Sequence, residues 1–172
     1  MRTDPEKLKY VIGYGARILQ PSIPWANAVA LLGALAEVES SFGVHNQARF
    51  ERAYNYGGSL CNVDQKEKLY QWGAWAACSY SSFQIMYPTA CELGFDVKPW
   101  LRSPGDLFDD EVAIHFVLRY IQRRIIDRGA KTVREFGDAY NSGNHRDHIV
   151  PIEYMNKFDY HYAGVLARRG LS

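Results

Sequence analysis

Metal-binding motifs are missing from this sequence of 172 residues. Cys61, Cys78 and Cys91 form no Cys-x-x-Cys spacing, and the five histidines form neither His-x-x-x-His nor His-Glu-x-x-His, so no metal or other cofactor is expected. With so few cysteines, two states stay open: one disulfide plus a free thiol, or three buried thiols. Charge of one sign is missing as well, since 20 basic and 19 acidic residues leave a net charge of only +1. The pairs Arg123-Arg124 and Arg168-Arg169 fall at expected helix ends, where cations offset the dipole. Nucleic-acid binding, which leaves a stronger basic footprint, is disfavoured. No apolar run approaches the length that crosses a bilayer, so membrane insertion is not expected. The charged start Met1-Arg2-Thr3-Asp4-Pro5-Glu6-Lys7 lacks the apolar core of a secretory signal.

Helix signals and aromatic residues fill the space these absences leave. Hydrophobic content of 47% and aromatic content of 14% call for a globular fold with a sizeable core. Twelve Tyr and four Trp exceed what a small core needs; half-buried core positions suit most of them, and a cleft that stacks on sugar rings or other flat ligands suits some. The spacing predicts a first helix over Pro5 to Leu19, broken by Gln20-Pro21-Ser22. A second, mostly apolar helix spans Ala26 to Glu39, with Ser22 as its cap and Pro24 in its first turn. From Val44 to about Asp64 the chain is polar and aperiodic, and either a short β-hairpin or an irregular loop fits it. Further helices are expected over Lys66 to Ala76, Ser82 to Tyr87, Pro88 to Leu93, and Asp109 to Asp127 before Gly129. Thr132 to Glu135 reads as a capping box opening a helix towards Tyr140, and a last helix runs from about Pro151 to Ala167. Neither a linker nor a repeat divides residues 1–172, which read as a single, mainly α domain.

Glu39 is the candidate functional residue that the pattern singles out. It lies below Leu35 and Leu32 on the buried stripe of its helix, whereas Glu37 turns away towards solvent. A carboxyl on an apolar face loses hydration, holds its proton to higher pH, and so suits a general acid near neutrality. A buried glutamate satisfied by an arginine or a backbone amide is the structural alternative.

Three collinear segments resemble the lysozyme-like lytic transglycosylases, the soluble lytic transglycosylase family related to goose-type lysozyme. Glu39-Ser40-Ser41-Phe42 resembles the family's Glu-Ser-x-Phe. Ser82-Phe83-Gln84-Ile85-Met86-Tyr87-Pro88-Thr89-Ala90 resembles Gly-Leu-Met-Gln-Ile-x-Pro-x-Thr-Ala, and Ala139-Tyr140-Asn141-Ser142-Gly143 resembles Ala-Tyr-Asn-Ala-Gly. The likeness covers about residues 25–165 and implies a lysozyme-like helical domain, with a small β-hairpin or loop insertion. It also implies that Glu39 is the sole catalytic acid and base and that Ser40, Gln84, Tyr140 and Asn141 line the groove, with the Tyr140 hydroxyl near Glu39. Departures are Ser81-Ser82-Phe83 where the family has a small Gly and a Met, and a long insertion from Val44 to Cys78 that suits a lid or an extra wall. Tyr154-Met155-Asn156-Lys157-Phe158 resembles the family's Tyr-Val-x-Lys-Val run, but Glu153 is out of register with the Glu that precedes it there.

The resemblance implies an enzyme whose partner is the peptidoglycan glycan strand, cleaved between N-acetylmuramic acid and N-acetylglucosamine to give 1,6-anhydromuramoyl ends. Its place of action would be the cell wall, periplasmic or extracellular, with a phage-encoded protein or a dedicated export route as the setting. Hydrolysis of the same bond is the alternative, for which Glu51 and Asp64 are the candidate second carboxylates, although Arg49 and Arg52 flank Glu51 and Asp64 suits a helix cap. A catalytically silent glycan-binding or structural module is the reading from another class. A cysteine or serine hydrolase using Cys78-Ser79 with His145 or His148 lacks a nucleophile-elbow context, and those histidines read as loop residues near the groove mouth.

Overall fold

The chain starts its first helix where local chemistry is cheapest. Pro5 occupies the first turn, and the Asp4 carboxylate accepts the amide of Glu6. The structure, a computed structural model, describes residues 2–95, 103–142 and 150–169. Helix α1 (Pro5–Leu19) ends on a 3-10 turn over Gln20–Ser22. Helix α2 (Ala28–Ser40) starts later than its apolar pattern suggests, and its cap is Asn27, which accepts the amide of Ala30, not Ser22. The Gln20 side chain explains the difference. It accepts from the Ala28 amide at 2.9 Å and donates to the Ala26 carbonyl at 2.8 Å, holding residues 23–27 in a turn.

Helix α2 is the spine of the molecule. Leu31, Leu32, Leu35 and the alanines between them are fully buried, because α1 packs along one side and α7 (Ile152–Arg169) along another. Gly33 permits the second contact, since a Cβ there would stand 3.3 Å from a Val165 methyl of α7. Helix α5 (Asp110–Tyr120), capped by Asp109, packs on α1 and runs on as a π-helical turn over Ile121–Ile126. Helix α6 (Val133–Ser142) lies against both that turn and α7. Its predicted capping box is modified: Thr132 Oγ1 accepts the Glu135 amide at 3.2 Å, but the Glu135 carboxylate reaches the Lys131 amide.

The aperiodic stretch holds β1 (Arg49–Phe50), a 3-10 turn at Arg52–Tyr54, and then α3 (Val63–Trp72). Strands β2 (Cys78–Tyr80) and β3 (Ile85–Met86) complete an antiparallel sheet in the order β1-β2-β3, with Arg49 opposite Ser79 and Ser79 opposite Met86. The helix expected over Ser82 to Tyr87 is therefore a turn and a strand. Ser81 and Gln84 have left-handed φ values of +69° and +49°, and the Ser82 amide and hydroxyl both bond the Asp110 carboxylate at 2.7 Å. Side-chain hydrogen bonds of this kind compete directly with a helical ladder. Helix α4 (Tyr87–Glu92) follows at once. All three cysteines are free thiols, with Cys78 and Cys91 buried. Among the described residues no helix is long and apolar enough to cross a membrane. The fold is mainly helical with one small sheet.

Candidate active site

Glu39 reaches its place because α2 ends abruptly one residue later. Ser41, Phe42 and Gly43 take successive φ values of +51°, +55° and +79°, a run that L-residues adopt only where surrounding contacts enforce it. The contacts converge on Ser40. Its hydroxyl lies 2.9 Å from the Ala36 carbonyl and 2.8 Å from the Ser82 carbonyl, and accepts the Gly43 amide at 2.8 Å. Ser40 is thus buried and does not line the groove, which corrects the role the resemblance implies for it. It fastens the end of α2 to the turn before β3.

That junction opens onto a cleft of about 460 Å³. Its walls come from the end of α2, from β1, from residues 53–60, from β3 and α4, and from the ends of α5 and α6. Glu39 lies in this cleft with its side chain only 7% exposed. Its Oε1 accepts the Tyr154 hydroxyl at 2.8 Å, and its Oε2 stands 3.7 Å from Arg49 Nη1. Arg49 itself is bound to Glu51, Nε to Oε1, at 2.8 Å. Lys157, three residues after Tyr154 on α7, donates to the Val38 carbonyl at 3.3 Å. Burial raises the Glu39 pKa above the ordinary carboxyl value, and the opposing pulls of the Tyr154 hydroxyl and the Arg49 charge do not cancel it. The site therefore carries one carboxyl disposed to keep its proton and one, Glu51, held in an ion pair.

No family model, curated protein or solved structure matches this chain.

Gln84 lines the cleft with its amide fixed: Oε1 accepts from Ser79 Oγ at 2.8 Å and Nε2 donates to the Ser81 carbonyl at 2.9 Å. Asn141 lies exposed at the rim, at the end of α6. Tyr140 borders the cleft, but its hydroxyl donates to the Phe83 carbonyl at 2.9 Å and not to Glu39. Its ring packs edge-on to Tyr120 at 5.4 Å and stacks on Phe136, so the groove-side helix end is tied into the core. Phe83 is fully buried and fills core without reshaping the groove floor. Glu51 shares the cleft with Glu39, whereas Asp64 does not line it. Asp64 is an exposed residue in the first turn of α3, whose cap is Asn62, so it is neither paired with Glu39 nor the helix cap. The insertion supplies a wall through Arg49, Glu51, Ala53, Tyr54 and Leu60. Gly143, His145 and His148 lie outside the described residues.

Tyr154 is the site residue that motif matching passed over. It lies within the Tyr154-to-Phe158 run, whereas Glu153 is exposed at the start of α7. A larger cavity of about 630 Å³, bordered by Arg2, Lys7 and Asp109, contains a buried acid too. That acid, Asp110, already accepts from the Ser82 amide, Ser82 Oγ and Thr3 Oγ1, so it is a structural carboxylate. Among the described residues no cluster of three His, Cys, Asp or Glu side chains could hold a metal ion.

Proposed function

We propose that this chain is a lysozyme-like, peptidoglycan-cleaving enzyme that breaks the bond between N-acetylmuramic acid and N-acetylglucosamine without water, using Glu39 as both acid and base. One observation supports the reading: a desolvated carboxyl, hydrogen-bonded among the described residues by a phenol alone, opens into a cleft of about 460 Å³ walled by tyrosines and amides. Glu39 donates its proton to the glycosidic oxygen as the bond to the anomeric carbon breaks. The substrate's acetamido carbonyl stabilises the cationic carbon left behind. The Glu39 carboxylate, now held by Tyr154, takes the proton of the muramoyl 6-hydroxyl, whose oxygen closes on that carbon. The acid is regenerated and the product carries a 1,6-anhydro ring.

Hydrolysis of the same bond is the second reading, and the presence of Glu51 in the same cleft favours it. The 2.8 Å bond from Arg49 to Glu51 counts against it, because it turns one carboxylate oxygen towards the guanidinium and not towards a water. Mass spectrometry of fragments released from purified peptidoglycan separates the two, with Glu39→Gln as the control. Fragments one water lighter, with anhydromuramic ends, support the transglycosylase; reducing muramic ends support the lysozyme. Retained binding with no release would leave a glycan-binding module.

A further inference from the structure

We propose that Glu51 is a positioning residue: it draws the Arg49 guanidinium away from Glu39, leaving the acid with a phenol and not a cation as its nearest partner. The inference rests on the reading above for the role of Glu39 and adds what keeps that group in working condition.

Arg49 and Glu51 stand two residues apart on extended backbone, so their side chains leave on the same face, towards the end of α2. The two distances from Arg49 are unequal in kind. Nε to Glu51 is a charge-assisted hydrogen bond at 2.8 Å, while Nη1 to Glu39 at 3.7 Å is beyond hydrogen-bond range. Arg49 is 55% exposed on a long stem, so its head is free to follow whichever carboxylate holds it. Without the Glu51 carboxylate, Glu39 is the other carboxylate that Arg49 meets among the described residues, less than an ångström outside bonding distance.

Among the described residues, the other groups that face Glu39 offer no substitute. From α7 come Tyr154 and Lys157, and the Lys157 ammonium is engaged by the Val38 carbonyl. From α6 and α5 come Tyr140 and Tyr120, whose phenols burial drives upward, Tyr120 to about 12, so both stay neutral at working pH. Arg49 is thus the cation in the cleft lining able to convert Glu39 into a fixed carboxylate with no proton to give.

The test follows the Glu39 side-chain carboxyl by NMR titration of the whole chain, alongside the pH profile of fragment release from peptidoglycan. The set is wild type, Glu51→Gln, Arg49→Gln and the double variant. A guanidinium that closes on a carboxylate lowers its midpoint by about one unit or more. Glu51→Gln is expected to move both the Glu39 midpoint and the alkaline limb of activity to lower pH by that amount. Arg49→Gln moves both upward, and the double variant lies close to Arg49→Gln, because the direct push of the Glu51 charge on Glu39 ranks behind the pull of Arg49. An unmoved midpoint in Glu51→Gln overturns the proposal, and so does a downward shift that survives intact without Arg49. Midpoints that move as expected in a chain releasing no fragments would support the positioning and sink the glycan-cleaving reading. Active enzyme with unmoved midpoints would do the reverse.

Discussion

Replacing Tyr154 by Phe deletes one oxygen, 2.8 Å from Glu39 Oε1, and leaves the ring in place. Because the Glu39 side chain is 7% exposed, water is poorly placed to take over that bond. A hydrogen bond to a charged acceptor contributes about 1.5–3 kcal/mol, against about 0.5–1.5 kcal/mol for a neutral one. The difference, roughly 1 to 1.5 kcal/mol in favour of the ionised form, corresponds to about one pKa unit at ~1.36 kcal/mol per unit. Tyr154→Phe is therefore expected to raise the Glu39 midpoint, already raised by burial, by about one further unit. The sign of the stability effect follows. A carboxyl whose folded pKa exceeds its ordinary 4.5 stabilises the fold fully below that value and loses its contribution as pH climbs through the folded midpoint. The variant should lose the neutral bond alone in acid and the stronger ionic bond above the folded midpoint, so its deficit against wild type grows with pH. Side-chain carbon NMR of Glu39 and denaturant unfolding on both sides of the midpoint measure the two quantities. A Glu39 midpoint that falls or stays fixed would refute the reasoning, since it would mean that the phenol does not favour the carboxylate.

Glu39→Gln should cost about 100-fold or more in fragment release. Above the folded midpoint it should also unfold at higher denaturant than wild type, with the gap closing as pH falls towards 4.5; a gap that widens in acid would contradict the burial-driven shift. Ser40→Ala strands the Gly43 amide and the Ser82 carbonyl in the interior and is expected to destabilise by about 2 kcal/mol in urea unfolding. Activity should fall with it, through a loosened Glu39 and not through lost sugar contacts. Asp110→Ala removes the acceptor of three hydrogen bonds, two from Ser82 in the turn before Gln84 and one from Thr3, and a loss of about 3 kcal/mol is expected, whereas a near-neutral result would show that the turn stands without it.

What the sequence by itself determined was whatever a single stretch of chain could write. The limits of α1, the long apolar α2 with Glu39 on its inner face, and α4 all follow from periodicity, caps and breakers within a few turns. The burial of Glu39 was legible for the same reason, because Leu32 and Leu35 lie on its own helix. Tertiary structure alone decided which groups the candidate residues meet. Ser40 finds Ser82 across 42 residues, Tyr140 finds Phe83 across 57, and Tyr154 finds Glu39 across 115. A hydroxyl looks equally fit for substrate or backbone until packing shows which acceptor lies within 3 Å, and Ser82 looked helical until Asp110 claimed its amide and hydroxyl. Local energetics place the acid on its helix; long-range packing chooses the partners that set its proton.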